Sequence, residues 1–236
     1  MKRIGIIAAM PGEVKFLVNG WPQEKIDGLD VWRKNVDECE WVVTLAGAGQ
    51  AAASRAVAAA EKSGPLDAMV SIGWVGALRK EFVAGRAYRV DGVVDIQTGE
   101  RFRTADAPFL ERTWLVTSPR VADVEEKMRL RETYAAGMVD MEAAAVARLS
   151  AIRSIPFYAV KAVSDGASDR LPDFNSFLDA RGNFQLIRFI LFVLPRPWLW
   201  PALIRMGENS RRASRRLADH LRASFDAQGN PRAVSE

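Results

Sequence analysis

Short apolar runs alternate with alanine-rich or charged segments along this chain. Arg3 to Ala9 is an apolar run closed by Pro11-Gly12, the pattern of a buried strand and a turn, and Glu13 then begins a helix. Val31 to Asn35 and Glu40 to Leu45 carry the β-branched and aromatic residues of strands. The second runs into Ala46-Gly-Ala-Gly49, after which the alanine-rich stretch Gln50 to Lys62 predicts a helix. Further strands are predicted at Ala68 to Ile72, leading to Gly73-Trp-Val-Gly76, and at Ala87 to Asp95, Thr113 to Thr117 and Phe157 to Val163. Helices are predicted at Val121 to Arg131 and Asp140 to Ile152. Strands alternating with helices indicate an α/β fold, a three-layer α/β/α sandwich around a mixed, mostly parallel sheet.

The pattern changes after Asp165. Phe184 to Trp200 is strongly apolar but is interrupted by Arg188, Pro195, Arg196 and Pro197. Its uninterrupted part, Phe189 to Leu194, is far shorter than the about 20 residues that span a bilayer. Trp198, Leu199, Trp200 and Leu203 beside arginines fit an element lying at a membrane interface. A terminal helix packed on the core, or an oligomer interface, fits the same residues. The chain thus divides into a domain over residues 1–180 and an apolar, arginine-rich helical extension over residues 181–236.

With 236 residues, 49% of them apolar, the chain can bury one substantial core. Cys39 is its only cysteine and His220 its only histidine, which excludes an intrachain disulfide and argues against metal sites and Ser-His-Asp catalysis. No metal and no cofactor are expected. The basic residues before the first apolar run lead into a strand, not a signal peptide, so the expected location is the cytoplasm, with the inner face of the membrane open to the extension. A formal net charge of +4 is modest, but Arg181, Arg188, Arg196, Arg205, Arg211, Arg212, Arg215, Arg216 and Arg222 face only Glu208 and Asp219. Such clustering indicates an anionic partner or surface. No nucleic-acid reading motif accompanies it, so no nucleic-acid partner is expected.

Two acidic groups stand out: Asp140-Met-Glu142 opening an alanine-rich helix, and Ser164-Asp165-Gly166 ending an apolar strand. Carboxylates at a helix start and at the carboxyl end of a strand can meet in one cleft of an open α/β sheet. The plainer reading is that Glu142 favours the helix start electrostatically and Asp165 caps the next segment. Gly47-Ala-Gly49-Gln-Ala-Ala52 matches a dinucleotide fingerprint only weakly. That fingerprint wants an acidic residue at the end of the next strand, whereas Asp67 precedes it. The turn can still present backbone N–H groups to an anion or hydroxyl.

Taken in order, Ile4-Gly-Ile-Ile-Ala-Ala-Met10 with Glu13, Gly47-Ala-Gly49, Gly73-Trp-Val-Gly76, Val139-Asp-Met-Glu142 and Val163-Ser-Asp165 resemble the nucleoside phosphorylase and nucleosidase family, which includes the methylthioadenosine/S-adenosylhomocysteine nucleosidases. The match covers about residues 1 to 180. It implies cleavage of a purine N-glycosidic bond without a metal, commonly in a homodimer. It further implies that protonated Asp165 donates to N7 of the departing base, that Ser164 holds this aspartate, and that Glu142 accepts from the ribose hydroxyls. Glu13 would polarise the attacking water. Met141 would underlie the ribose, Gly47, Gly73 and Trp74 would border the substrate, and Phe174 or Phe177 would flank the sugar or its 5′ substituent.

The chain also departs from the family pattern. Trp74 stands where many relatives have a small residue, and Thr117-Ser-Pro-Arg-Val121 replaces a longer base-recognition stretch. Glu13 and Ser71 occupy places where phosphorylases of the family carry phosphate-binding arginines; a carboxylate there repels phosphate and favours water. The tail, ending in Asn209-Ser-Arg-Arg212, looks like that of the hopanoid-associated phosphorylase branch, which implies release of adenine from adenosylhopane, a lipid-linked nucleoside. The alternatives are a soluble methylthioadenosine/S-adenosylhomocysteine nucleosidase, a purine nucleoside phosphorylase, and a non-catalytic nucleoside-binding protein at the membrane.

Overall fold

The computed structural model describes residues 2–45, 47–105, 113–179 and 182–224, so Ala46 and Arg181 of the sequence reading lie outside it. Its strands are β1 (Lys2–Ala8), β2 (Gln23–Ile26), β3 (Leu29–Val36), β4 (Cys39–Leu45), β5 (Ala68–Ala77), β6 (Ala87–Arg89), β7 (Gly92–Asp95), β8 (Arg101–Arg103), β9 (Trp114–Thr117), β10 (Met138–Asp140) and β11 (Phe157–Asp165). Its helices are α1 (Pro11–Val14), α2 (Gln50–Glu61), α3 (Val124–Tyr134), α4 (Ala143–Ile152), α5 (Leu186–Val193) and α6 (Trp200–Ser224).

The central strands β4, β1, β5 and β11 run parallel, and antiparallel pairs flank them at β3, β6 and β10. Their side chains are buried on both faces, which is why these strands read as continuous apolar runs. One face is covered by α2 and α4. Ala52, Ala53, Ala56 and Ala60 of the first meet the second through Ala143, Ala144 and Ala147, small residues that let the helices approach closely. On the other face, α1 and α6 pack over β1, β4, β5 and β11. Helix α3 seals the β7–β9–β10 side with Leu130. The expected α/β/α sandwich with a mixed sheet is therefore the fold, with a long C-terminal helix.

Some boundaries move. Ala87 to Asp95, expected as one strand, is two, β6 and β7, which pair with different neighbours. Asp140, expected inside a helix, ends β10, and the helix begins only after Glu142. The reason is local: the Asp140 carboxylate accepts from the Ala143 N–H at 3.0 Å, and Thr117 Oγ1 accepts from the Ala144 N–H at 3.0 Å, so side chains from the strands satisfy the first turn of α4. The apolar tail separates into two parts. No residue of α5 is buried, whereas Ala213, Leu217, Ala218 and Leu221 of α6 lie in the same core cluster as Ile4, Val43 and Val70.

Candidate active site

The carboxyl ends of β1, β5, β10 and β11 open into one cavity of about 410 Å³. Each acidic group reaches it from a different element.

Glu13 lies in the first turn of α1, directly after β1. Its Oε2 accepts from the N–H groups of Ala9 at 2.8 Å and Met10 at 2.9 Å, and its Oε1 accepts from the Trp74 N–H at 2.8 Å. Gly73 permits this approach: at φ +146° a Cβ there would come within 2.8 Å of Glu13 Oε1. Burial raises the Glu13 pKa, and the three amides and the charge of Lys161 oppose the rise.

Glu142 sits between β10 and α4. Its Oε1 accepts from the Gly49 N–H at 2.7 Å and its Oε2 from the Met141 N–H at 3.2 Å. The turn at Gly47-Ala-Gly49 therefore presents an amide to a carboxylate of the protein itself. Burial of the carboxyl group, followed by the charge of Asp140, pushes the Glu142 pKa up to about 8.

Asp165 ends β11, where a register shift against β5 between Val163 and Asp165 re-aims the chain into the cavity. Ser164 Oγ lies 2.6 Å from Asp165 Oδ1 and 3.2 Å from the Val75 carbonyl. Oδ2 is in an ion pair with Lys127 Nζ, which also donates to the Gly166 carbonyl at 2.8 Å. Lys127 comes from α3 and is 2% exposed. A second buried lysine, Lys161 of β11, donates to Asp140 Oδ2 at 2.8 Å, Ser71 Oγ at 2.9 Å and the Ile72 carbonyl at 3.4 Å.

Of the residues singled out from sequence, Glu13, Trp74, Met141, Glu142, Ser164, Asp165 and Phe174 line the cavity. Gly47, Gly73 and Phe177 do not; the two glycines shape the turns around it. Phe177 lies behind the wall, 5.3 Å from Phe189 and 5.2 Å from Phe192 between ring centroids. Phe184 and Phe189 join Phe174 at the cavity instead. Trp74 borders it, but its indole N–H donates to Ser214 Oγ of α6 at 3.0 Å. Sequence reasoning passed over Lys127 and Lys161, and quoted Gly76 without giving it a role. For Lys161 a signal existed, because a lysine inside the buried run Phe157 to Val163 needs a partner. Gly76 keeps the floor open, since a Cβ there would lie 3.1 Å from Lys127 Cε and 3.2 Å from Asp165 Oδ2.

The cavity has two chemically distinct ends. Carboxylates and Lys127 hold one; Phe174, Leu178, Phe184, Phe189, Leu203 and Met206 make the other apolar. Among the described residues no cluster of His, Cys, Asp or Glu could hold a metal ion.

No curated protein sequence matches the chain. Among solved structures, the futalosine hydrolase of Helicobacter pylori strain 26695 superposes with a TM-score of 0.70 at 14% identity, over 93% of this chain and 95% of that one. An S-adenosylhomocysteine nucleosidase from Streptococcus pyogenes, in complex with 5-methylthiotubericidin, gives a TM-score of 0.71 at 17% identity, over 94% of each chain. The 5′-methylthioadenosine/S-adenosylhomocysteine nucleosidase of S. pneumoniae with the transition-state inhibitor MT-ImmA gives 0.70 at 20% identity, over 96% of this chain and 99% of that one. These likenesses concern the fold. In sequence, the model of the phosphorylase superfamily matches residues 3–120 and 102–186, and the chain belongs to that superfamily.

Proposed function

We propose that this protein hydrolyses the N-glycosidic bond of a purine nucleoside whose 5′ end carries a large apolar group, releasing the base. The observation that carries this reading is a single cavity that joins the acidic cluster to an apolar end built by the tail.

Hydrogen-bonding capacity divides the work. A carboxylate offers about four acceptor sites. Glu13 uses three on backbone amides, two at Oε2 and one at Oε1, which leaves one at Oε1 for a water. Glu142 uses one on each oxygen and keeps one on each, a match for the paired 2′ and 3′ hydroxyls of ribose. In its ionised form, favoured only as pH rises through about 8, its charge also favours the positive charge that grows on the sugar as the C1′–N9 bond breaks. The electron pair of that bond leaves with the base, which takes a proton at N7. Water forms the new bond at C1′ and gives up a proton towards Glu13.

The proton for N7 comes from the Asp165–Lys127 pair. Asp165 is ion-paired with Lys127, so the proton reaches N7 through Asp165 with Lys127 beside it. Phosphate is disfavoured as the nucleophile. Beyond the Glu13 carboxylate, the three donors of Lys161 beside Ser71 are all engaged by Asp140, Ser71 and Ile72, so this lysine is not free to grip it.

Adenosylhopane, implied by the resemblance of the tail, fits an apolar 5′ end, and adenine is the base that substrate releases. A soluble methylthioadenosine/S-adenosylhomocysteine nucleosidase is the second reading, favoured by the likeness of fold to such enzymes. A homodimer belongs to the proposal by the same resemblance. Purified full-length protein is to be incubated with adenosylhopane, methylthioadenosine and S-adenosylhomocysteine, with and without phosphate, and free adenine measured. The expected result is phosphate-independent release with the highest kcat/KM for the lipid-linked nucleoside. Strict phosphate dependence would make the protein a phosphorylase. Release from the soluble nucleosides alone would favour the second reading, and no release from any would leave a nucleoside-binding protein.

A further inference from the structure

Of the eleven large apolar side chains that the described residues expose, eight lie between Leu186 and Ile204. Ile187 is 76% exposed, Trp198 70%, Leu191 66% and Leu194 64%. No residue of α5 is buried, and α5 meets the final helix at a bend of 109°. No single described helix is long and apolar enough to cross a membrane. A patch this concentrated on a bent pair of helices calls for a partner.

Charge identifies the partner. From residue 180 to residue 207 the sequence carries Arg181, Arg188, Arg196 and Arg205 and no Asp or Glu. Arg196 lies over the Phe192 ring, 4.0 Å from its centroid, so the cation is mounted on the apolar element itself. A second copy of the chain is a poor occupant. A two-fold contact would place this patch against itself, bringing arginines together with no carboxylate of the segment to pair them. Anionic lipid headgroups supply that charge, and the acyl boundary accepts the isoleucines, leucines and indoles.

The patch is continuous with the site. Leu186 lines the cavity and is also 58% exposed, so the apolar end of the cavity opens at this surface.

We infer that α5, the turn after it and the start of α6 seat on the headgroup–acyl boundary of an anionic bilayer, and that the substrate's apolar group passes from the lipid straight into the cavity. The delivery step rests on the proposed function; the seat itself does not.

The test is co-sedimentation of the full chain with vesicles of phosphatidylcholine containing about one third phosphatidylglycerol, and with pure phosphatidylcholine. The variants are Ile187→Glu with Leu191→Glu, and separately Trp198→Ala, all at residues outside the cavity. Binding to the anionic vesicles is expected to weaken at high salt and to fall about tenfold or more in the double variant, and less in Trp198→Ala. The double variant should keep its turnover of a soluble nucleoside and lose its advantage on a vesicle-embedded one. Absence of sedimentation with either vesicle, or sedimentation unchanged in the double variant, would overturn the seat. So would a dimer that the double variant splits while vesicle binding is absent. Vesicle binding without base release from any nucleoside would overturn the proposed function and leave the seat standing; base release without vesicle binding would do the reverse.

Discussion

Asp165 has one oxygen against a hydroxyl and the other against an ammonium, and these two neighbours set what it can do. Asp165→Asn is expected to lower kcat/KM by about 10²–10⁴-fold and also to lower the melting temperature, because the amide keeps the shape but cannot carry the proton and leaves the buried Lys127 ammonium without its counter-charge. Lys127→Met should lower the rate as well, but it also leaves a buried carboxylate unpaired, at a cost of about 3–5 kcal/mol. Combining the two substitutions should restore most of the stability and none of the rate. Thermal melts beside steady-state kinetics check this, and a double variant as unstable as Lys127→Met would contradict the pairing. Glu142 gives a second, pH-dependent expectation. Its carboxyl titrates near 4.5 when unfolded and at about 8 when folded, so between those values the folded state holds a proton that the unfolded state has lost. Its contribution therefore erodes stability as pH rises through that window. Glu142→Gln should melt higher than the parent at pH values above about 8 and level with it near pH 4. The raised pKa of Glu13 acts in the same direction and is common to both proteins. Glu13, Glu142 and Asp165 were legible in the sequence because each follows a strand at a turn. Lys127 was not, because Val124-Glu-Glu-Lys-Met-Arg-Leu-Arg reads as an ordinary charged helix face, and only the packing of α3 selects which basic residue turns inward.

At the scale of elements, α6 does two jobs with one helix. Its start carries part of the exposed apolar patch, while Ala213, Leu217, Ala218 and Leu221, spaced by four, one and three residues, form a single buried stripe over β11 and β5. The Ser214 hydroxyl takes the Trp74 indole and donates to the Ser210 carbonyl, tying the helix to the strand that also carries Gly73 and Gly76. Gly182 fixes the other end of the tail: its carbonyl accepts from the Ala48 N–H at 2.8 Å, and at φ +80° a Cβ there would collide with the Ala48 carbonyl. The change of composition near residue 180 thus marks where apolar and arginine-rich sequence begins, while packing continues across it. Leu217→Ala is expected to cost about 2–5 kcal/mol of stability, as in a core helix. Ile187→Ala on α5 should cost little, being exposed. Equal small losses in chemical denaturation would show that α6 is dispensable to the core. Sequence left this open because an amphipathic helix has the same pattern whether its apolar stripe meets a core, a second subunit or lipid. Only the sheet face left bare by α2 and α4 decides it.

Across the whole molecule, the cavity converts the tail into a determinant of substrate choice. The acidic end lies where an open α/β sheet places its ligands, at the carboxyl ends of the strands, and that much followed from the order of the elements. The apolar end is assembled from residues far apart in sequence, Phe174 and Phe184 from one connection, Phe189 from α5, and Leu203 and Met206 from α6, so no local pattern announced it. Its consequence can be measured with adenosine analogues bearing 5′-alkylthio chains of increasing length. Burying a methylene contributes about 0.8 kcal/mol, so kcat/KM should rise by at most about fourfold per carbon while the chain fills the apolar end, and then level off. Phe189→Asp would place a carboxylate at that end, and it should flatten the series while sparing turnover of the methyl analogue, because the acids at the other end keep their partners. A series that falls from the first added carbon would mean that the apolar end is closed to substrate in solution. A variant that loses long and short analogues alike would mean that Phe189 supports the acids and not the chain.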